Sequence, residues 1–367
     1  MKVAVITRHF ITNYGSLLQA MATQEAVRRL GHSCEIIDYI REDESFWQRE
    51  KTLLNRKSSW NRNKPRRALY LALRQPESIA SGKKFDRWQK QYLNLTKRYT
   101  DLEQLCSEPP EADVYMTGSD QVWGPVENGN YDSAYCLSFV NCSRRKIAYA
   151  ASFGHAELTE ILRAYYEAWL IDYHRITVRE DGAVKMLGTL GIKASQVLDP
   201  TLLLDTSYWE QYFKPIPHTK YILIYQIHND RRLSEYARKA ARKKGLPLIR
   251  LSVSFHQISR AGKLIWAPDP GTFLTYIKNA ECMITDSFHG TAFAINFNTP
   301  FIEVMPNNKT GTRNKSILQL TGLQNRILQK EEDIALVDQE IDFQYANRIL
   351  EEKRKESLCI LKDMIES

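Results

Sequence analysis

Short continuous apolar runs alternate along this chain with longer segments in which apolar residues recur every three or four positions. The first pattern is that of strands buried on both faces, and the second that of amphipathic helices packed over them. Lys2–Thr7 (KVAVIT) opens as a strand. Leu17–Leu30 follows as a helix capped by Ser16, with Leu17, Ala20, Met21, Val27 and Leu30 on its apolar side. Gly31 ends that helix and Cys34–Tyr39 is the next strand. The alternation resumes with strands at Ala112–Thr117 and Lys146–Ala151, a helix over Leu158–Leu170, a short strand at Arg175–Val178 and a helix over Gly182–Leu190. It pauses near Leu202–Asp205. It restarts with the strand Lys220–Gln226, the helix Asp230–Lys244, the strand Leu248–Val253 and the helix Gly271–Asn279. Two such series, each beginning with a strand, predict an α/β fold of two doubly wound Rossmann-like domains facing across a cleft. Their limits read as 1–205 and 206–330, with a charged, largely helical tail over 331–367 packing back on the body.

The chemically richest stretch is Met283–Phe301, MITDSFHGTAFAINFNTPF. A buried strand (Cys282, Met283, Ile284) ends in Thr285 and Asp286, Ser287–Thr291 form a turn, and Ala292–Phe297 is a helix of small and apolar residues. Asn298, Thr299 and Pro300 break it before the strand Phe301–Val304. Open α/β sheets build sites where a strand's carboxyl end meets a helix N-terminus, whose N–H groups hold anions. His289 is placed at that mouth, and Gly290 lets a ligand approach the backbone. The plainer reading is a helix cap with a structural histidine.

Composition narrows the class. At 367 residues and 43% hydrophobic, the chain buries a sizeable core and suits two domains. No apolar run reaches the roughly 18 residues that span a bilayer, and no signal-peptide pattern opens the chain. The six cysteines (34, 106, 136, 142, 282 and 359) lack metal-ligand spacing and read as reduced, mostly buried thiols of a cytoplasmic protein. There is no paired-histidine spacing and no D-x-D at a strand end, so no metal is expected. The glycine turn after the first strand lacks G-x-G-x-x-G, so no dinucleotide site is assigned.

The net charge of +8 is unevenly spread. Arg49–Arg98 holds 15 Lys/Arg against three acids (Glu50, Glu77, Asp86), within a helix-prone insertion spanning about 42–100. These basic residues interleave with Trp60, Tyr70, Trp88 and Tyr92, which suits an anionic membrane surface or a phosphorylated partner. A solvated insertion without a partner fits the same composition. A nucleic-acid groove draws on the same residue types, but no nucleic-acid partner is expected.

Six motifs stand in order along the chain: NYGSLLQA (Asn13–Ala20), TGSDQVW (Thr117–Trp123), YAASFG (Tyr149–Gly154), VREDGAVKMLGTLG (Val178–Gly191), VLDPTLLL (Val197–Leu204) and ITDSFHGTAFAINFNTPFI (Ile284–Ile302). Together they resemble the polysaccharide pyruvyl transferase family, from the N-terminus to about Leu328 and outside the basic insertion. The resemblance implies a GT-B-like fold with the acceptor on the N-terminal domain and the donor on the C-terminal one. It implies phosphoenolpyruvate as donor substrate, no cofactor, and a cyclic pyruvate ketal on a sugar hydroxyl pair as product. Acceptors would be cell-surface glycans, as in exopolysaccharide or capsule, or their lipid-linked precursors. The expected location is then the cytoplasm, at the inner face of the membrane, with Arg49–Arg98 as the membrane contact. The family's donor-binding arginine maps onto Arg179 and its late-motif histidine onto His289. Better-known family members carry Arg two positions before that histidine, where this chain has Ser287, leaving Lys146, Lys309 and Arg313 as candidate compensating cations. Two other classes keep the same features. One is a GT-B-like glycosyltransferase using a nucleotide sugar, the other a non-catalytic scaffold of a glycan assembly complex.

Ketal formation needs the donor carboxylate and phosphate held, the methylene carbon protonated, a sugar hydroxyl deprotonated and phosphate expelled. The Arg179 guanidinium suits the first through two parallel hydrogen bonds, unless it pairs with Glu180 or Asp181. The N–H groups of Gly290 and Thr291 suit the phosphate, and His289 suits proton transfer near neutrality. Asp286 either orients the His289 ring or caps the helix. Ser119, Asp120 and Gln121, at the mouth of the Ala112–Thr117 strand, suit sugar hydroxyls, and Trp123 beside them is read as core. Asn13, Gly15 and Ser16 line the start of the first helix, and Ser152 follows the Lys146–Ala151 strand. Asp199 fixes a turn before Pro200 or touches the acceptor. His9 and His155 follow strands but carry no second signal.

Overall fold

Twelve strands form two sheets in the computed structural model, which describes every residue except 155–157, 218, 307–310 and 331. The first sheet contains β1 (Lys2–Ile6), β2 (Ser33–Tyr39), β3 (Leu95–Tyr99), β4 (Val114–Thr117), β5 (Arg145–Ala151), β6 (Arg175–Val178) and β7 (Ala194–Gln196), in the order β3-β2-β1-β4-β5-β6-β7. The second contains β8 (Ile222–Tyr225), β9 (Leu248–Ser252), β10 (Lys263–Trp266), β11 (Cys282–Thr285) and β12 (Phe301–Glu303), in the order β10-β9-β8-β11-β12. All pairings are parallel. Both sheets therefore wind the same way. The chain starts in the middle, runs outward to one edge, and returns beside its first strand to build the other half. The reversal falls between β1 and β4 in one sheet and between β8 and β11 in the other, where open α/β sheets place their ligands.

The chain divides into one unit of Met1–Pro200 with Leu358–Ser367 and another of Thr201–Ser357. The division thus falls five residues before the expected limit at 205. The tail is shared, because the final helix Phe343–Glu366 contributes to both units. In the second unit Arg354 donates to Leu202 O at 2.7 Å and Asn296 Oδ1 at 2.6 Å. In the first, Arg145 donates to Ile365 O at 2.5 Å.

Central strands are buried on both faces, which is why they read as apolar runs: Val3, Ala4, Val5 and Ile6 are all wholly inaccessible. The strands that the periodicity missed are β3, β7 and β10, each at a sheet edge. An edge strand is half solvated, so LTKRY, ASQ and KLIW carry polar residues that a central strand tolerates only with dedicated partners. The insertion is accordingly the helices Arg49–Asn55 and Lys64–Tyr92 followed by the edge strand β3.

Two helix starts also differ from expectation. The helix Tyr14–Arg29 is capped by Asn13, whose Oδ1 accepts from Gly15 N at 2.7 Å, so Ser16 lies in the first turn with its hydroxyl released for another partner. The helix Phe288–Phe297 is capped by Ser287, so His289, Gly290 and Thr291 are helical rather than in a turn. Trp123 is core, its Nε1 donating to Tyr135 O at 3.3 Å. Of the six thiols only Cys34, Cys136 and Cys282 are buried, which corrects the expectation that most are. Among the described residues no helix is long and apolar enough to cross a membrane.

Candidate functional site

In the first unit, three carboxylates, a guanidinium and several hydroxyls gather at the carboxyl ends of the strands around the β1/β4 reversal. β4 ends at Thr117, and Asp120 follows with φ +76°, a left-handed conformation that Asp tolerates better than bulkier residues. Ser16 Oγ, from the first turn of the Tyr14–Arg29 helix, donates to Asp120 Oδ2 at 2.8 Å and so joins the two sides of the reversal. Ser119 Oγ donates to Asp199 Oδ2 at 2.9 Å, and Thr7 Oγ1, just beyond β1, donates to Ser119 O at 2.8 Å. Arg179, next after β6, has a side chain wholly out of solvent. Its Nη1 lies 3.0 Å from Asp199 Oδ2, its Nε 3.4 Å from Glu180 Oε2 and its Nη2 3.6 Å from Asp120 Oδ1. Ser152 Oγ donates to Glu180 Oε1.

Burial alone would lower the affinity of this guanidinium for its proton, but the charges of Glu180, Asp199 and Asp120 outweigh it and hold the group above its ordinary value. Among the described residues, one cation here faces three carboxylates. Arg179 thus pairs with Glu180, the alternative that the sequence allowed, and with Asp199 and Asp120 besides. Asp199 likewise does more than fix a turn. Asp181 pairs instead with Lys185, one turn along its own helix.

Other expectations for this unit resolve individually. Gln121 packs against Gly154, where an added Cβ would meet Gln121 Oε1 at 2.7 Å. Gly15 is buried in its helix. Lys146 stands near the amino end of β5, 3.7 Å from Asp172, at the end of that strand away from Ser152. His9 is buried with Nε2 3.2 Å from Asp38 Oδ1. His155 and Lys309 lie outside the described residues. Above β1 and β2 the insertion encloses a cavity of about 260 Å³, walled by Phe10, Ile11, Phe46, Trp47, Asp86 and Lys90 among others.

The second unit repeats the plan with different groups. Asp286 Oδ1 accepts from Ile227 N at 2.7 Å, and Oδ2 accepts from His228 N at 2.9 Å while facing His228 Nδ1 at 3.3 Å. Asp286 therefore neither caps the helix nor orients His289. β11 ends at Thr285, which aims the next side chain at the loop leaving β8. Ser287 Oγ accepts from Gly290 N at 3.2 Å, and Ser287 O accepts from Thr291 N at 2.9 Å. The two N–H groups expected to hold phosphate are thus engaged by the cap itself. His289 is buried in this first turn, 7% exposed. Gly290 serves packing rather than ligand approach, since a Cβ there would meet Thr285 Oγ1 at 2.7 Å and Tyr225 Cδ1 at 3.0 Å. Gly290→Ala is expected to cost about 1–3 kcal/mol of stability by overpacking, measured by urea unfolding. An unchanged midpoint would mean that the strand ends yield freely.

Three residues of this unit escaped the sequence reading. His228 is one. Glu303, ending β12, is fully buried, accepts from Asn314 Nδ2 at 2.6 Å and is bonded to Thr291 Oγ1. Burial, only partly offset by those hydrogen bonds, pushes its carboxyl up to about 8. The third, Arg250, is buried in β9 among neutral acceptors, Gln226, Gln257, Ser234 and Ala261 O, and burial pulls it down to about 10. Arg313 is buried in the first turn of the helix Gly311–Leu320, beside Asn314. The missed signal is the same for Glu303 and Arg250: a charge inside an apolar run (FIEV, LIRL), which a buried strand tolerates only with dedicated partners.

Glu303 makes a pH test. Between about 4.5 and 8 the unfolded chain ionises this residue while the folded chain keeps its proton. Its contribution to stability is therefore full below 4.5 and is lost as pH rises to 8. A glutamine can accept from Asn314 Nδ2 through its oxygen and donate to Thr291 Oγ1, whose own proton can go to Ser287 O at 3.0 Å. Glu303→Gln is therefore expected to flatten the fall of the melting temperature over that range. A parallel downward shift at every pH would instead show an ionised carboxylate in the fold.

Residues 13–308, most of the chain, match the polysaccharide pyruvyl transferase family. The chain belongs to that family. No curated protein sequence matches it. Solved structures similar to this pyruvyl transferase family member include a putative UDP-N-acetylglucosamine 2-epimerase from Listeria monocytogenes (10% identity, TM-score 0.51, covering 100% of this chain and 91% of that one). Another is Arabidopsis thaliana UGT89C1 complexed with UDP-L-rhamnose (10% identity, TM-score 0.51, 99% of each chain), and a third is the spinosyn forosaminyltransferase SpnP (13% identity, TM-score 0.50, 100% of each). At these identities the likeness concerns the fold alone, which is GT-B-like, as the two doubly wound parallel sheets predict.

Proposed function

We propose that this protein moves the pyruvyl group of phosphoenolpyruvate onto a hydroxyl pair of a cell-surface glycan or its lipid-linked precursor, forming a cyclic ketal and releasing phosphate. Membership of the family over residues 13–308 is the observation that carries this reading. The donor is a substrate, so no cofactor is required. One acceptor proton ends on the donor methylene, which becomes the ketal methyl group, and the second leaves with phosphate.

In this reading His289 protonates the methylene carbon as positive charge develops on its neighbour. The donor's carboxylate and phosphate fall to the second unit, where His228, Arg313 and the buried charge of Arg250 stand in for the cation missing at Ser287. Asp120 accepts the proton of the attacking hydroxyl. Ser16 and Arg179 fix its carboxylate, and Arg179 also restrains Glu180 and Asp199, so Arg179 is a positioning residue. Ser119, Gln121 and Ser152 then belong to the acceptor side.

Calorimetric titration of phosphoenolpyruvate, run beside UDP and a UDP-sugar, tests the assignment. Saturable binding of phosphoenolpyruvate that neither nucleotide displaces supports it. Binding of the nucleotides alone would sink it in favour of a nucleotide-sugar glycosyltransferase, the reading suggested by the similar fold of a protein solved with UDP-L-rhamnose.

A further inference from the structure

The helix Lys64–Tyr92 is amphipathic the wrong way round for a solvated insertion. Its protein-facing side buries Tyr70, Ser78, Ser81, Gly82, Phe85, Trp88 and Gln89, and between Tyr70 and Phe85 the buried positions are only serines and a glycine. Its outward side carries two adjacent rows at four-residue spacing: Pro65, Leu69 and Leu73 in one, Ala68, Ala72, Pro76 and Ala80 in the other. All seven are exposed, Leu69 by 52% and Leu73 by 62%, and Arg66 is the one other exposed residue between Pro65 and Ala80. Continuous apolar rows of this kind are rare on a surface that meets only water. At 1.5 Å per residue they extend for about 22 Å.

The surroundings say what covers them. Exposed cations stand at both ends of the rows, Arg62, Lys64 and Arg66 at one and Lys83 and Arg87 at the other. The acids of the helix, Glu77 and Asp86, are only partly exposed and lie within ion-pair distance of Arg74 and of Lys90 and Arg98. Trp60, 38% exposed, lies just before the helix, and Trp47, 49% exposed, holds Lys83 Nζ over its ring at 5.1 Å. An apolar face framed by cations and indoles is the composition of a helix lying in the headgroup region of an anionic membrane. A second copy of the chain would instead oppose like charges across the contact, and a nucleic acid would gain nothing from the leucines.

We propose that the Pro65–Ala80 face of the Lys64–Tyr92 helix docks on an anionic lipid surface, its apolar rows entering the headgroup boundary and its terminal cations pairing with lipid phosphates.

Co-sedimentation of the full chain with phosphatidylcholine vesicles, with and without phosphatidylglycerol, tests this. Both substituted residues of Leu69→Glu/Leu73→Glu are exposed, so an unchanged melting temperature is expected. Wild type should pellet with the anionic vesicles, and the double variant should lose at least tenfold in affinity. Arg62→Ser/Lys64→Ser/Arg66→Ser should lose affinity as well, and raised salt should weaken the wild type. Equal partition of wild type and Leu69→Glu/Leu73→Glu would overturn the proposal. So would wild-type self-association abolished by the double variant without vesicle binding, which would give this face to a second copy. Retention of a DNA fragment unaffected by the leucine changes, with no vesicle binding, would overturn it equally.

Discussion

Arg179→Met is expected to lower the unfolding free energy by about 3–5 kcal/mol at neutral pH, the range for removing one partner of a buried ion pair. The reason lies in what stays behind. Asp199 is 2% exposed and Glu180 5%, and each loses the buried guanidinium it faces while keeping a hydroxyl donor, Ser119 for Asp199 and Ser152 for Glu180. Each carboxyl would then rise toward a neutral form in the folded chain, above its unfolded value. Carboxyls raised in this way give their full stability below the unfolded value and lose it as pH climbs through the folded one. The deficit relative to wild type should therefore shrink as pH is lowered from 7.5 to 5, measured by urea unfolding at each. A loss below about 1 kcal/mol would mean that the four groups are not energetically coupled. Arg179→Lys separates positioning from donor grip. It keeps the charge but not the planar fork, so phosphoenolpyruvate affinity should hold while turnover falls. A matching loss of donor affinity would return Arg179 to the donor side.

The second large effect is expected at His289. His289→Gln should reduce pyruvyl transfer by about 10²–10⁴-fold, the range for losing a positioned proton donor. Donor affinity should stay within a few-fold, because other groups hold the anion in this reading. Phosphate release in single turnover, beside calorimetric affinity, separates the two quantities. Equal losses in affinity and rate would make His289 a binding residue, and near-wild-type turnover would leave it a buried part of the helix start. The same pair of measurements on His228→Gln checks the alternative ring, the one that faces Asp286.

The family and the winding were legible from the sequence because both rest on local patterns. A central parallel strand is buried on both faces, so it must read as an unbroken apolar run, and the motifs at its carboxyl end lie within a few residues of it. Asp120, His289 and Ser287 were placed just beyond strand ends that way. What the sequence left open was decided by pairs of residues remote in the chain. Ser16 and Asp120 meet across the β1/β4 reversal, Arg179 meets Asp199 across β6 and β7, and Asp286 meets His228 across β8 and β11. No periodicity encodes those meetings, since strand order sets them. Likewise, the basic character of Arg49–Arg98 is a matter of composition. Which side of its long helix faces outward depends on how the helix docks, and docking put its leucines in solvent and its serines inside. The sequence alone determined the central strands, the helices between them and the motifs just beyond their ends. The tertiary structure alone decided that Arg179 faces three carboxylates, that Glu303 is buried between Thr291 and Asn314 and that Asp286 faces His228, because charge balance and desolvation depend on neighbours in space.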